Sequence, residues 1–93
     1  MDARVNVERI LGLEYGDAHV IRNAGALVTD DVRRSLDASR GLGTENVVLM
    51  LHTDCGARAG DLDEAVRQEL PGLGPRARGY VYDVDSGELR EVT

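Results

Sequence analysis

The chain has 93 residues, a formal net charge of −6, a single cysteine and no phenylalanine or tryptophan. That length supports one small domain with a modest core, and the acidic balance argues against nucleic acid or an anionic membrane as partner, since both require a positive face. One cysteine excludes an internal disulfide and fits a reducing, cytoplasmic setting, while no apolar run reaches the length of a membrane span. The start lacks the basic-then-apolar pattern of a secretory signal. The core must be built from Val, Leu, Ile and Ala, so marginal stability is expected unless a partner subunit covers more of it.

In chain order, Asn6 can cap a short helix with Val7, Ile10 and Leu11 on one face, and Gly12 can end it. His19-Val20-Ile21-Arg22 reads as a short strand broken by the turn Asn23-Ala24-Gly25. Thr29 has the form of an N-cap, with Asp30 and Asp31 set against the positive end of the helix dipole. That helix turns Val32 and Leu36 inward, keeps Ser35 and Ser39 small for close packing, and stops near Gly41 or Gly43. The five apolar residues 47–51 read as a buried strand, so 19–51 is expected to form a parallel, right-handed strand–helix–strand unit. Asp61-Leu62-Asp63-Glu64 resembles a capping box, and Leu62, Ala65, Val66 and Leu70 keep helical spacing until Pro71-Gly72 breaks it. After a loop over 72–78, residues 79–84 alternate like a strand, Asp85-Ser86-Gly87 turns, and 89–92 can pair back as a hairpin. The fold class is α/β, a parallel sheet flanked by helices. No repeat or linker divides the chain.

The most informative junction is where Val47–Leu51 runs into His52-Thr53-Asp54-Cys55-Gly56. Sites in open α/β sheets gather at the carboxyl ends of strands. His52 and Cys55 offer a nitrogen and a sulfur three positions apart, a spacing that can grip one zinc ion. Taken alone, the pair reads slightly better as an edge histidine and a small buried cysteine. Zinc needs three or four donors, and the further candidates are Asp2, Asp54 and His19. Asp2 and Arg4 stand two apart; in an extended segment both face one side, where the guanidinium can hold the carboxylate ionised and aimed. By itself that pair reads as a solvated terminus. His19 reads as a structural or surface histidine, Asp54 as facing solvent or bonding the loop backbone, and Arg22 as a surface residue. Gly41-Leu42-Gly43-Thr44 precedes a strand, whereas a phosphate loop must follow one.

Taken together, these segments resemble the β-class carbonic anhydrases. The resemblance runs through Met1-Asp2-Ala3-Arg4, residues 16–25 (Gly-Asp-Ala-His-Val-Ile-Arg-Asn-Ala-Gly), Val28-Thr29-Asp30-Asp31-Val32, Ser35-Leu36 and His52–Gly56. It continues in Arg78–Asp83 and Gly87-Glu88-Leu89. The resemblance implies a zinc lyase that reversibly hydrates CO₂ to bicarbonate, with His52 and Cys55 as zinc ligands and Asp2 and Arg4 as a catalytic dyad. Zinc lowers the pKa of a bound water to about 7, giving a hydroxide that attacks CO₂. Asp2 would orient that hydroxide and Arg4 would keep Asp2 off the metal; in the family's closed state the same Asp becomes the fourth ligand. It further implies a homodimer or higher homo-oligomer, with active sites at the subunit interface. Asn23 and Gly25 shape the neighbouring strand end and carry no chemistry.

The family's pattern sets a third ligand, a cysteine, directly before Met1, together with the central strand that leads to it. The sequence is therefore expected to form a single, N-terminally truncated domain over 1–93, its sheet open between 19–22 and 47–51. The stretch between Gly56 and Arg78 is shorter than the family's, which removes helical cover. Two alternatives stay open: a non-catalytic fragment or interaction module of the same fold, and a carbonyl sulfide or carbon disulfide hydrolase on the same scaffold.

Overall fold

A computed structural model describes all 93 residues, Met1–Thr93. Its first helix, α1 (Val7–Leu11), is capped by the Asn6 side chain accepting from the Arg9 amide at 3.0 Å, and Gly12 ends it with a left-handed φ of 67°. Helix α2 (Asp30–Gly41) begins where Thr29 Oγ1 accepts from the Val32 amide, with Asp30 and Asp31 in its first turn. Strand β1 (Val47–His52) leads to helix α3 (Leu62–Glu69), where the Asp61 carboxylate accepts from the amides of Asp63 and Glu64. Pro71 diverts the chain into a tight 3₁₀ turn over Leu70–Leu73. Strands β2 (Ala77–Tyr82) and β3 (Leu89–Val92) close the chain as a hairpin, its turn held by the Asp83 carboxylate accepting from Asp85 and Ser86. β2 starts and ends two residues earlier than the alternation suggests. The ladder opens with the Val47 amide on the Arg76 carbonyl, and Asp83 is claimed by the turn.

The sheet has three strands in the order β1-β2-β3, β1 parallel to β2 and β2 antiparallel to β3, so it is mixed. The parallel crossover is β1–α3–β2. The strand expected over His19–Arg22 does not form: these residues join no ladder, because no strand lies beside them to take their amides and carbonyls. A parallel strand–helix–strand unit over 19–51 is thereby corrected, and β1 is left as an edge strand.

Register sets the core. Leu49 pairs with Gly79, Leu51 with Val81, and Gly79 with Val92, so these side chains share the face that α3 covers. Leu49, Leu51, Ala65, Val66, Leu73, Val81 and Val92 form the buried cluster, with Val66 at 0 % exposure. Gly79 is what lets α3 come so near. A methyl there would overlap Val66 Cγ1 and press Leu70 Cδ1 at 3.2 Å. Arg90 reaches the same face and ties β3 to Asp63 of α3 through two hydrogen bonds. The other flank is thinly covered, with Val20, Ile21, Leu27 and Val48 all substantially exposed. No helix is long and apolar enough to cross a membrane.

Candidate functional site

His52 ends β1, and its ring is fixed by a 2.7 Å hydrogen bond between Nδ1 and the Thr53 carbonyl. A carbonyl oxygen can only accept, so in the neutral ring Nδ1 carries the proton and Nε2 keeps its lone pair free. Thr53 locks the exit from the strand: its amide donates to the Tyr82 carbonyl at 2.9 Å, and its Oγ1 accepts from the Val84 amide at 3.1 Å. The chain then turns through Asp54 at a left-handed φ of 52°, which short polar side chains tolerate better than most. Cys55, half-buried and unbonded to any other cysteine, follows.

The N-terminal segment comes to this loop from the other side. Asp2 and Arg4 do pair, but through a turn and not through an extended segment. The Val5 amide bonds the Asp2 carbonyl, and the Arg4 amide bonds Asp2 Oδ1 at 2.8 Å. The guanidinium then grips the same carboxylate twice, Nε to Oδ1 at 2.9 Å and one terminal nitrogen to Oδ2 at 2.8 Å. These side-chain bonds, reinforced by the Arg4 amide, hold the Asp2 carboxyl well below the usual carboxylate range, and Asp2 in turn raises Arg4. Asp2 Oδ2 lies 3.8 Å from His52 Nε2. Asp2, His52 and Cys55 all line one cavity of about 600 Å³, whose apolar wall includes Ile21, Leu27 and Val48.

Several residues that the pattern leaves in the background hold this arrangement. Arg22 donates to the carbonyls of Asp2 at 2.6 Å and Val5 at 2.8 Å, so it is a strut under the Asp2 turn and not a free surface charge. Asp54 does not simply face solvent; its carboxylate and its carbonyl both accept from Arg4 at 2.9 Å. Arg58 donates to the Gly25 carbonyl and to Glu69, whose other oxygen accepts from the Val28 amide. No local signal marks Arg58 or Glu69, because their partners, each other and two backbone groups, all lie more than ten residues away. His19 points to α2, its Nδ1 2.6 Å from Ser39 Oγ, as a structural histidine would. Asn23 clasps Leu27 through both ends of its amide, and Gly25 takes a φ of 78° beside it, so both shape the expected turn, although no strand ends there.

The donors suit a borderline-soft divalent ion: an imidazole with its other nitrogen tied off, a thiol and a carboxylate on one cavity. Tetrahedral ligands about 2.1 Å from one ion sit roughly 3.4 Å apart, close to the observed separation of His52 Nε2 and Asp2 Oδ2. No three His, Cys, Asp or Glu side chains of the chain, however, are drawn together as a finished cage.

Residues 1–76 match the sequence profile of the carbonic anhydrase family. The chain is 40 % identical over 127 residues to beta-carbonic anhydrase 1 of Mycobacterium tuberculosis, a match spanning 100 % of this chain and 78 % of that protein. The aligned stretch exceeds the 93 residues present here, so the relative carries residues within it that this chain lacks. A carbon disulfide hydrolase of Saccharolobus solfataricus is 49 % identical over 57 residues, covering 60 % of this chain and 28 % of the relative. Among solved structures, a carbonic anhydrase of Streptococcus mutans superimposes with a TM-score of 0.91 at 37 % identity, over 100 % of this chain and 77 % of the other. The apo form of a carbon disulfide hydrolase superimposes with a TM-score of 0.85 at 27 % identity, over 100 % and 75 % respectively.

Proposed function

The chain belongs to the carbonic anhydrase family, β class, and on that premise we propose that it serves the zinc-dependent, reversible hydration of CO₂ to bicarbonate. Zinc would be held by His52 and Cys55, with Asp2 able to join them. When bound, the metal supplies a Lewis acid that ionises water near neutral pH. The observation that carries this reading is the Arg4-held Asp2 carboxylate standing 3.8 Å from the free nitrogen of His52 on a shared cavity.

The chain's own residues divide the remaining work. The Thr53 carbonyl holds the proton on His52 Nδ1 and so leaves the Nε2 lone pair free and aimed. Arg4 keeps Asp2 ionised across the working pH range and aims both its oxygens, so Asp2 can accept a hydrogen bond from a donor in the cavity without taking up its proton. Should Arg4 release Oδ2, Asp2 could turn to the metal, so the same carboxylate has an open and a closed role. Apolar side chains such as Ile21 and Val48 offer a non-polar surface suited to an uncharged, linear gas.

The test is stopped-flow CO₂ hydration by the zinc-loaded chain, with metal content measured in parallel. The reading expects bound zinc and a hydration rate above that of free zinc. A chain that takes up zinc without hydrating CO₂, or takes up none, defeats it and leaves the non-catalytic reading. A second reading, hydrolysis of carbon disulfide or carbonyl sulfide, is favoured by the identity shared with the carbon disulfide hydrolases over 57 residues. Turnover of each gas by one preparation separates the two. We further propose that the working form is a cytoplasmic homodimer or higher homo-oligomer, since the thinly covered flank beside β1 leaves Val20, Ile21, Leu27 and Val48 exposed. Sedimentation of the purified chain checks the assembly.

A further inference from the structure

Arg4 does more than bind Asp2. Its guanidinium spans two segments fifty residues apart, giving Nε and one terminal nitrogen to Asp2, the other terminal nitrogen to Asp54 Oδ2, and a shared bond to the Asp54 carbonyl. Asp54, at a left-handed φ of 52°, offers both its carboxylate and its carbonyl to the same guanidinium. The Asp54 side chain is 78 % exposed, so as a surface ion pair it adds little to stability. Its geometric effect is larger. Arg4 gripped only by Asp2 could swing with the N-terminal turn, whereas Arg4 also gripped by Asp54 is anchored to the loop that carries His52 and Cys55. We propose that Asp54 is a positioning residue: acting through Arg4, its oxygens fix the Asp2 carboxylate in register with the His52–Cys55 loop. The inference rests on the function proposed above for its kinetic consequence, but not for the contact itself.

Two variants test it. D54G keeps the positive φ and the carbonyl contact while removing the carboxylate; D54N keeps an acceptor oxygen and also tolerates that backbone. In the metal-free chain, exchange of the Arg4 Nε proton, followed by NMR, should speed up about tenfold in D54G and stay within about threefold of wild type in D54N. Both should keep the wild-type melting curve. In the zinc-loaded chain, D54G should lose about tenfold in kcat with KM unchanged, and D54N should recover most of it. Unchanged Arg4 exchange in D54G overturns the inference, as does an unchanged kcat, and so does D54N failing as fully as D54G. Faster Arg4 exchange in a chain whose wild type shows no hydration at all keeps the positioning role and instead defeats the proposed function.

Discussion

The half of the molecule built on β1, β2, β3 and α3 and the half formed by residues 1–28 are held by different physics. In the first, seven apolar side chains pack on one sheet face, and Gly79 brings α3 into direct contact with it. In the second, no residue is buried, and the path of the chain is set by arginines reaching backbone carbonyls: Arg22 to Asp2 and Val5, Arg58 to Gly25. Apolar burial gives stability without direction, whereas hydrogen bonds give direction at little net gain. The candidate site sits on the seam, with His52 and Cys55 supplied by the packed half and Asp2 and Arg4 by the strutted one. Stability and activity should therefore respond to different substitutions.

The largest effect expected is on activity alone. R4A should lower CO₂ hydration by about a hundredfold, by freeing the carboxylate it aims, while leaving the thermal midpoint within a few degrees of wild type because Arg4 is exposed and Asp2 only partly buried. A matching fall in melting temperature would break the contrast between the halves. G79A should do the reverse, costing about 1–3 kcal/mol in urea unfolding through overlap with Val66, with zinc stoichiometry kept in the fraction that stays folded. T29A removes the cap of α2 and should cost about 1 kcal/mol. The smallest effect is that of pH. Asp63 and Glu91 are lowered by their bonds to Arg90 and Arg78, and Asp83 by the amides of its turn. Their folded values lie below the unfolded ones, so this stabilisation is complete above about pH 5 and is lost as pH falls through the depressed values. The unfolding midpoint should therefore fall as pH is lowered from about 5 to about 2, and a midpoint unchanged over that interval would contradict the assignment.

What could be read from the sequence was whatever local chemistry encodes. Asn6, Thr29 and Asp61 announce their helices because a cap acts on amides two or three residues away. The apolar run at 47–51 and the Asp83–Gly87 turn are equally local. His19–Arg22 misled because alternation describes a strand's side chains and not whether a neighbour exists to pair with its backbone. At the site, His52, Cys55, Asp2 and Arg4 were legible through a resemblance in motif order. The pairing of Asp2 with Arg4 was anticipated, but its route through a turn was not. Arg22, Asp54, Arg58 and Glu69 stayed hidden, since each acts on a segment distant in sequence and carries no spacing that marks it.

X-ray absorption at the zinc edge of the loaded chain tests the central claim most directly, because it reports which atoms of the protein share the ion. The account predicts a sulfur at about 2.3 Å and an imidazole nitrogen at about 2.0 Å on the same zinc, with the sulfur lost in C55S and the imidazole signal lost in H52A. A zinc surrounded by oxygen and nitrogen alone, unchanged in C55S, would contradict it.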